Sequence, residues 1–175
     1  MKTKQIAMLT ENGFEQEELT SPKEALEQAG YTVHIISPQK EKVKGWNHTD
    51  WGTELPVDKH IDEAKIDDYD ALVLPGGVIN PDKLRTNEKA VAFAKAMLDS
   101  GKPVAAICHG PQTLIETRML ANKQMTSYPS LQTDLKNAGA NWQDKEVVVD
   151  NNLITSRKPD DLPAFNRELI SALGS

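Results

Sequence analysis

Short runs of consecutive apolar residues alternate along the chain with longer stretches in which apolar side chains recur every three or four positions. A short apolar run bounded by turn residues is typical of a strand that is buried on both faces. The runs predict strands at Gln5–Leu9, Thr32–Ser37, Ala71–Leu74, Val104–Ile107 and Leu153–Ser156. Residues 124–127 and 146–150 predict two further extended segments, the second joined to the last strand by a hairpin-like turn at Asn151-Asn152.

Helical periodicity and helix-boundary residues predict helices between these strands. Ser21 to Glu24 combine an N-cap residue, a proline at the first helical position and a capping-box glutamate, so the first helix is expected to start there and to end at Ala29, before Gly30. The other predicted helices cover residues 88–100, 111–117 and 131–138 and a closing segment that contains Leu162, Phe165, Leu169 and Leu173. Residues 38–60 are polar and contain glycines and tryptophans, which favours a loop or an irregular hairpin.

Buried strands that alternate with helices predict an α/β fold, a mostly parallel sheet with helices on both faces. In such sheets ligands bind beyond the carboxyl ends of the strands. Polar, glycine-containing segments follow three of the predicted strands, at residues 10–18, 75–77 and 108–111. We therefore expect the functional side chains in these segments, and we expect residues 1–175 to form a single domain.

Composition and charge narrow the class of protein. The formal net charge is −6 and no dense stripe of lysine and arginine occurs, which argues against sequence-specific binding of nucleic acids. The N-terminal stretch is too polar for a signal peptide, and no apolar run approaches the length of a membrane span. The single cysteine cannot form an intrachain disulfide. These features predict a cytoplasmic protein with a free thiol at Cys108.

Cys108 directly follows the strand Val104–Ile107, and Gly110-Pro111 predicts a sharp turn into a helix. A lone cysteine is often only a small buried side chain of the core. At a strand–helix turn, however, the thiol is presented at the sheet edge, as in the nucleophile turn of hydrolases. We expect the positive end of the helix dipole to lower the pKa of the thiol, and backbone N–H groups of the turn to face an oxyanion beside the sulfur.

Two neighbouring features bear on the chemistry of this thiol. His109 is either a structural group or a side chain that polarises the substrate or moves a proton near Cys108. Pro75-Gly76-Gly77 is either a plain turn or a second source of backbone donors, because glycine allows close approach from the neighbouring strand end.

Acidic residues follow the first strand at positions 15, 17 and 18. We expect one of Glu15, Glu17 and Glu18 to reach Cys108 as a partly buried carboxyl of raised pKa, and spacing alone leaves the choice open. The histidines are scattered, and the zinc, P-loop and dinucleotide-binding patterns are missing from the sequence. We therefore expect neither a metal nor a nucleotide cofactor.

Five segments together resemble the DJ-1/PfpI family, in the right order and essentially from end to end. They are FEQEEL at 14–19, ALVLPGG at 71–77, GKPVAAICHGP at 101–111, EVVVD at 146–150 and TSRKPDDLPAF at 155–165. The resemblance implies a flavodoxin-like three-layer sandwich with Cys108 as the nucleophile, His109 beside it and Glu18 as the glutamate that hydrogen-bonds the cysteine. It also implies Glu15 as a second acid, and the backbone amides of Gly77 and His109 as an oxyanion hole.

The resemblance further implies an assembly of identical subunits, a homodimer or a homohexamer. In such an assembly Asp82 is the candidate acid that approaches the cysteine and histidine of the neighbouring subunit. The chain departs from the family pattern at Val78, where relatives often carry histidine or arginine, and the stretch 78–81 is one residue longer.

The function implied by the resemblance is that of a cysteine-dependent hydrolase without a cofactor. Its expected substrates are small carbonyl compounds such as methylglyoxal and glyoxal, or the groups on proteins and nucleotides that these have glycated, which makes the protein a deglycase or glyoxalase-like stress-protection enzyme. The alternatives are an intracellular cysteine peptidase that is active as an oligomer, and a non-enzymatic redox sensor or chaperone with an oxidisable Cys108.

Overall fold

The computed structural model describes residues 3–174. Its strands are β1 (Gln5–Leu9), β2 (Phe14–Glu15), β3 (Thr32–Ser37), β4 (Lys42–Asn47), β5 (Asp50–Pro56), β6 (Lys59–His60), β7 (Ala71–Leu74), β8 (Val104–Ile107), β9 (Gln124–Met125), β10 (Asn141–Trp142), β11 (Val148–Asp150) and β12 (Leu153–Ser156). Its α-helices are α1 (Gln16–Gln28), α2 (Ile79–Leu84), α3 (Glu88–Asp99), α4 (Pro111–Ile115), α5 (Gln132–Asn137) and α6 (Leu162–Gly174). The five predicted buried strands, β1, β3, β7, β8 and β12, occur with the predicted bounds.

The central sheet has seven strands in the order β11-β12-β8-β7-β1-β3-β6. Its neighbouring strands pair in parallel, except that β11 runs antiparallel to β12. The predicted α/β class with a mostly parallel sheet is therefore confirmed. Because β1, β7 and β8 are adjacent and parallel, their carboxyl ends meet at one edge, and the three predicted functional segments converge there.

Two hydrophobic clusters pack the sheet between layers of helices. Along β1, Ile6 and Met8 contribute to one cluster while Ala7 and Leu9 contribute to the other, because successive side chains of a strand point to opposite faces. The helices supply the other half of each cluster, with Leu19, Leu26, Phe165 and Leu169 on the α1 and α6 side, and Phe93, Met97, Leu114 and Leu135 on the side of α3, α4 and α5. Burial of each large apolar side chain contributes about 1.5–3 kcal/mol.

Helix α1 begins five residues before the predicted start at residue 21, so that prediction is wrong. Pro22 lies inside the helix, where it cannot donate a hydrogen bond to the preceding turn. The earlier start buries Leu19 and the proline ring, and this packing outweighs the local boundary signal. The predicted end is confirmed, since Gly30 has a φ of +92° directly after the C-cap Ala29. As a result, Glu18 lies in the first turn of a helix rather than in a loop.

Residues 42–56 form a hairpin of β4 and β5 whose pairing shifts between Lys44 and Trp46. The prediction of an irregular hairpin in residues 38–60 is thus confirmed, and the short strand β6 follows it. The hairpin joins β2 in a separate three-stranded sheet beside the carboxyl edge of the central one. The rings of Trp46 and Trp51 meet edge to face across it, with centroids 5.4 Å apart.

The remaining elements are shorter than the sequence predicted or were not predicted. The segments at 124–127 and 146–150 contain strands of two and three residues, and the helix at 111–117 ends at Ile115. The turn at Asn151 has a φ of +52° and joins β11 to β12 in an antiparallel hairpin, as expected. Helix α2 and strand β10 carried no recognised signal. Within residues 3–174, no helix is long and apolar enough to span a membrane.

Candidate active site

Cys108 lies in the turn between β8 and α4, with a φ of +62°. A non-glycine residue in this left-handed region costs roughly 1–2 kcal/mol, and such strain is concentrated at functional sites. Hydrogen bonds hold the turn: the Cys108 amide donates to the Ser156 carbonyl at 3.0 Å, and the Cys108 carbonyl accepts from the Tyr128 amide at 2.9 Å. The side chain is buried, with 7% of the residue exposed. The predicted strand–cysteine–helix turn is therefore present, but its thiol is less accessible than the sequence suggested.

Glu18 lies beside this thiol and is fully buried. Its Oε1 atom accepts a hydrogen bond of 3.0 Å from the Gly76 amide, and the Cys108 side chain lies within hydrogen-bonding reach of the carboxyl group. The other oxygen, Oε2, is buried and accepts no hydrogen bond of normal geometry from residues 3–174. The choice among the three acids that the sequence left open therefore falls on Glu18.

Burial, followed by the negative charge of Glu15, raises the pKa of Glu18 to about 8 against the opposing effect of hydrogen bonds from the Cys108 side chain and the amides of Gly76 and Gly77. This matches the predicted carboxyl of raised pKa. Because a charged carboxylate without full hydrogen bonding is costly in the interior, the proton is held more tightly than in water.

The prediction of a lowered thiol pKa is wrong. Burial raises the pKa of Cys108, and the charge of Glu18 raises it further, while the amides of Gly77 and His109 act in the opposite direction. The helix that was expected to supply a favourable dipole is only the five-residue α4. Desolvation of the sulfur therefore outweighs the local backbone effect. The raised pKa favours the protonated thiol, so reaction at the sulfur requires transfer of this proton to a base.

Two backbone amides, those of Gly77 and His109, lie within hydrogen-bonding reach of the sulfur. Gly77 has a φ of +80°, and a Cβ atom at this position would lie 2.6 Å from the Glu15 nitrogen, so only glycine fits without strain. Preorganised N–H groups of this kind stabilise negative charge that develops on a reacting carbonyl oxygen. The geometry is suited to an oxyanion hole, as the family resemblance implies.

The His109 ring lies beside the sulfur, with Nδ1 3.1 Å from Cys108 Sγ. The ring stacks on Tyr128 with centroids 4.8 Å apart, and Nε2 lies 3.3 Å from Ser130 Oγ. Burial lowers the pKa of His109, which favours the neutral imidazole at neutral pH. Tyr128 and Ser130 were not predicted as site residues, because they follow β9 in the chain and reach Cys108 only through the tertiary fold.

The side chains of Glu15 and Glu17 both contact His48 in the β4–β5 turn, Glu15 mostly buried and Glu17 half exposed. Trp46 at the end of β4 and His48 in the turn, which were also not predicted, line the same cavity as Cys108. Asp82 is exposed on α2 and lies outside the set of described residues that line this cavity. Its proposed approach to a neighbouring subunit therefore stays a prediction.

Cys108 opens onto a cavity of about 710 Å³. This volume suits a small molecule or a single side chain that carries an adduct. The walls are mixed in character: acidic residues, the Trp46 and Tyr128 rings, the exposed Val78, and Lys158 with Asp160 on the segment before α6. Within residues 3–174, no cluster of three or more His, Cys, Asp or Glu side chains is arranged to bind a metal ion.

Comparison with known proteins identifies the family of the chain. The model of the DJ-1/PfpI family matches residues 4–172. The chain belongs to the DJ-1/PfpI family. It is 48% identical to YraA of Bacillus subtilis, a candidate cysteine protease, over 98% of this chain and 99% of that protein. It is 46% identical to protein/nucleic acid deglycase 2 of Escherichia coli, over 99% of both chains.

A solved structure shows the same fold. It belongs to a two-domain protein of Anabaena variabilis with DJ-1/ThiJ/PfpI-like and ferritin-like domains, which is 41% identical with a TM-score of 0.93. The match covers 98% of this chain and 48% of that longer chain. The flavodoxin-like α/β sandwich expected from the resemblance is therefore confirmed, and the named relatives indicate enzymatic activity in general.

Gly76 makes possible the close approach of Glu18 and Cys108 in this DJ-1/PfpI chain. A Cβ atom here would lie 2.7 Å from Cys108 Cβ and 2.8 Å from the Ile107 carbonyl oxygen, and would also collide with the Glu18 carboxyl. We expect Gly76→Ala to lower the free energy of unfolding by about 1–3 kcal/mol and to slow Cys108 alkylation at least about tenfold, because overpacking displaces both side chains. Urea denaturation and the alkylation rate measure the two effects.

The control for this substitution is Gly30→Ala. Gly30 has a φ of +92°, and a Cβ atom at this position would meet no neighbouring atom within 4 Å, so alanine there costs only backbone strain, roughly 1–2 kcal/mol. That variant should alkylate at the wild-type rate. Unchanged alkylation in Gly76→Ala would show that the pair does not depend on this close approach.

Proposed function

We propose that the protein is a cysteine-dependent deglycase, which hydrolyses the early adducts that methylglyoxal and glyoxal form with amino and thiol groups. The observation that carries the proposal is the Cys108 sulfur at the base of a small cavity, next to the buried Glu18 carboxyl and two backbone amides. A nucleophile, a proton acceptor and an oxyanion site are thereby assembled in one place. The similarity to a protein named protein/nucleic acid deglycase supports the same substrate class.

The first chemical step is addition of the thiol to the carbonyl carbon. The sulfur–carbon bond forms as the thiol proton passes to the Glu18 carboxylate and the carbonyl electron pair moves to the oxygen, where the Gly77 and His109 amides stabilise it. Protonated Glu18 then returns the proton to the amine or thiol as its bond to the neighbouring hydroxyl-bearing carbon breaks; the hydroxyl passes its proton to the oxyanion, and its carbon becomes an aldehyde. Water adds to the aldehyde, and a hydride moves from the hydrated carbon to the carbon that carries the sulfur. The carbon–sulfur bond to Cys108 breaks in the same step, which regenerates the thiol and leaves the 2-hydroxy acid. For a methylglyoxal adduct the balance is adduct plus water giving the free amine or thiol plus a 2-hydroxy acid. This balance needs neither an oxidant nor a reductant.

Glu18 and Cys108 titrate as a coupled pair in this scheme, and the reactive form carries one proton between them. Because the pKa of Glu18 is about 8 and that of Cys108 is also raised, the pair holds two protons in acid and loses the first near pH 8. The proposal thus requires the rate to increase with pH through about 8 and to fall again when the second proton leaves.

The experiment uses N-acetylcysteine and N-acetyllysine that have been treated with methylglyoxal, with free methylglyoxal as a parallel substrate. Recovery of the free thiol or amine and formation of lactate are followed together, with iodoacetamide-treated protein as the control. A deglycase has to release the amine or thiol faster than the adduct dissociates on its own. Release that never exceeds spontaneous dissociation, with lactate formed from free methylglyoxal, would assign a glyoxalase instead.

A cysteine peptidase is the second candidate, and the similarity to YraA favours it. A fluorogenic peptide added to the same preparations tests it. Peptide cleavage that is lost on alkylation, without turnover of any adduct, would replace the deglycase proposal with this one.

We further propose that the protein is a single domain that acts in the cytoplasm as a homodimer or homohexamer. The solvent exposure of Asp82 supports its role as an acid offered to a neighbouring subunit. Light scattering on the purified protein gives the number of subunits.

A further inference from the structure

The β4–β5 hairpin is held firmly beside the cavity by bonds to the loop and helix that follow β1. The Gly13 amide donates to the Lys44 carbonyl at 2.8 Å, and the Lys44 amide donates to Asn12 Oδ1 at the same distance. On the second strand, the Thr53 amide donates to Gln16 Oε1 at 2.8 Å. The turn of this hairpin, at residues 48 and 49, is therefore placed by a framework of hydrogen bonds rather than left loose in solvent.

His48 occupies that turn in the left-handed conformation, with a φ of +57°. Glycine adopts this conformation most readily, and asparagine, aspartate and histidine adopt it more often than other residues do. The His48 carbonyl accepts a hydrogen bond of 2.9 Å from Trp46 Nε1, which helps to fix the turn. The left-handed turn points the His48 side chain toward the loop and helix that follow β1, where it contacts Glu15 and Glu17.

The imidazole of His48 lies between two carboxylates of the cavity wall. Nε2 is 3.1 Å from Glu17 Oε1 and Nδ1 is 3.5 Å from Glu15 Oε1, while the His48 backbone amide donates to the same Glu15 oxygen at 3.2 Å. Nε2 is within hydrogen-bonding distance of Glu17 and Nδ1 is at ion-pair distance from Glu15, so the protonated imidazole interacts favourably with both carboxylates at once. The two carboxylates raise the pKa of His48, so the charged form extends to higher pH than for a free histidine.

Glu15 links its contact with His48 to the proton transfer between Glu18 and Cys108. Its side chain is only 14% exposed, and its negative charge is one cause of the raised pKa of Glu18. A positive charge on His48 offsets the charge of Glu15, so it favours ionisation of Glu18. Other charged groups near this turn are Asp50 and Lys44 on the hairpin itself, with the Lys44 ammonium 5.4 Å from the centroid of the Trp51 ring. Across the cavity lie Lys158 and Asp160, which pair with each other at 4.0 Å.

We propose that His48 is a positioning residue: its imidazolium holds Glu15 at the cavity wall and neutralises it, so that Glu18 exchanges its proton with Cys108 in a less negative field. This inference rests on the proposed function only in assigning the proton transfer to Glu18. It concerns the protein before substrate binds, so it is tested without a substrate. Loss of His48 should move the pH at which Cys108 becomes reactive.

The test is the pH dependence of iodoacetamide alkylation at Cys108, in wild type and in His48→Asn. Cys108 is the only cysteine of the chain, so the modification reports on this thiol alone. Asparagine suits the left-handed turn, so the melting temperature should be unchanged or higher, which separates the chemistry from folding. We expect the midpoint to shift upward by about half a pH unit, equivalent to about threefold slower alkylation near neutral pH, because Glu15 is no longer offset.

Two further variants make the result specific. Lys42→Gln removes a positive charge from the same hairpin, at a side chain that pairs with Glu54 and is 62% exposed, and it should leave the midpoint unchanged. In a Glu15→Gln background, His48→Asn should cause no further shift, because the charge that His48 offsets is already gone. A wild-type midpoint in His48→Asn, an equal shift in Lys42→Gln, or a shift that persists without Glu15 would each overturn the inference.

The inference and the proposed function fail in different ways. If the pH midpoint of alkylation shifts as expected but no adduct is turned over, His48 affects the reactivity of the thiol and the deglycase proposal is wrong. If adducts are turned over but the pH midpoint of Cys108 alkylation does not move in His48→Asn, the deglycase proposal is supported and the proposed role of His48 is wrong.

Discussion

Replacement of Glu18 by glutamine should slow turnover at Cys108 by about 10²–10⁴-fold, the usual contribution of a positioned general acid–base group. The amide has nearly the shape of the carboxyl and still accepts from the Gly76 amide, but it cannot take the thiol proton. The rate increase with a midpoint near pH 8 should also disappear, since glutamine does not titrate and the coupled pair is lost. The pH dependence of the rate in this variant should then reflect the titration of the Cys108 thiol alone.

The same substitution should change how stability depends on pH. The folded-state pKa of Glu18, about 8, lies above its ordinary value of 4.5, so the folded protein binds this proton more tightly than the unfolded chain does. Its contribution to wild-type stability is therefore fully present below about pH 4.5 and is lost as the pH rises through about 8. Glutamine has no proton to lose. The melting temperature of Glu18→Gln relative to wild type should thus increase across that interval.

Turnover and alkylation between pH 5 and 10, with melting curves at the same values, measure these effects. Glu24→Gln is the matched control, because Glu24 lies on the same helix but is exposed. It should retain wild-type turnover and the wild-type midpoint. If the turnover and the pH midpoint of Glu18→Gln both equal those of the wild type, Glu18 has no role in the mechanism.

Replacement of Cys108 by alanine should reduce turnover to the uncatalysed rate, because no other cysteine is present to take its place. Alanine keeps the Cβ atom and therefore the same strain at a φ of +62°. The free energy of unfolding should consequently change by no more than about 1 kcal/mol, since only the sulfur is lost from the core.

Cys108→Gly separates strain from chemistry at this position. It is expected to be as inactive as Cys108→Ala but more stable than that variant by roughly 1–2 kcal/mol, because glycine has no penalty at positive φ. Turnover assays and urea denaturation compare the two. Residual Cys108-independent turnover in either variant would place the nucleophile elsewhere, and equal stability would show that the turn is unstrained.

The local pattern of the sequence was sufficient for the central sheet. The five buried strands occur with their predicted bounds because each is an apolar run bounded by polar or turn residues, and no competing local signal interrupts it. The α1 start was missed for the opposite reason. Ser21 and Pro22 form a strong local boundary signal, but burial of Leu19 stabilises a helix that begins at Gln16.

The earlier start of α1 also determines which glutamate lies beside Cys108. Residues of an α-helix are rotated by about 100° from one to the next, so Glu17 and Glu18 point in different directions. Glu17 faces His48 and solvent, whereas Glu18 enters the core beside Gly76. The sequence placed these glutamates in a loop, where their spacing does not show which one points toward Cys108. Only the family resemblance selected Glu18 in advance.

The sequence by itself determined that Cys108 stands in a tight turn at the carboxyl edge of a parallel sheet, because strand, glycine and proline are all local features. The tertiary structure decided the state of its thiol. Burial beside Glu18 raises the pKa that the helix dipole was expected to lower, and desolvation depends on every element packed around the sulfur. It also brought His48, Tyr128 and Ser130 to the site from segments distant in the chain, which no local pattern records.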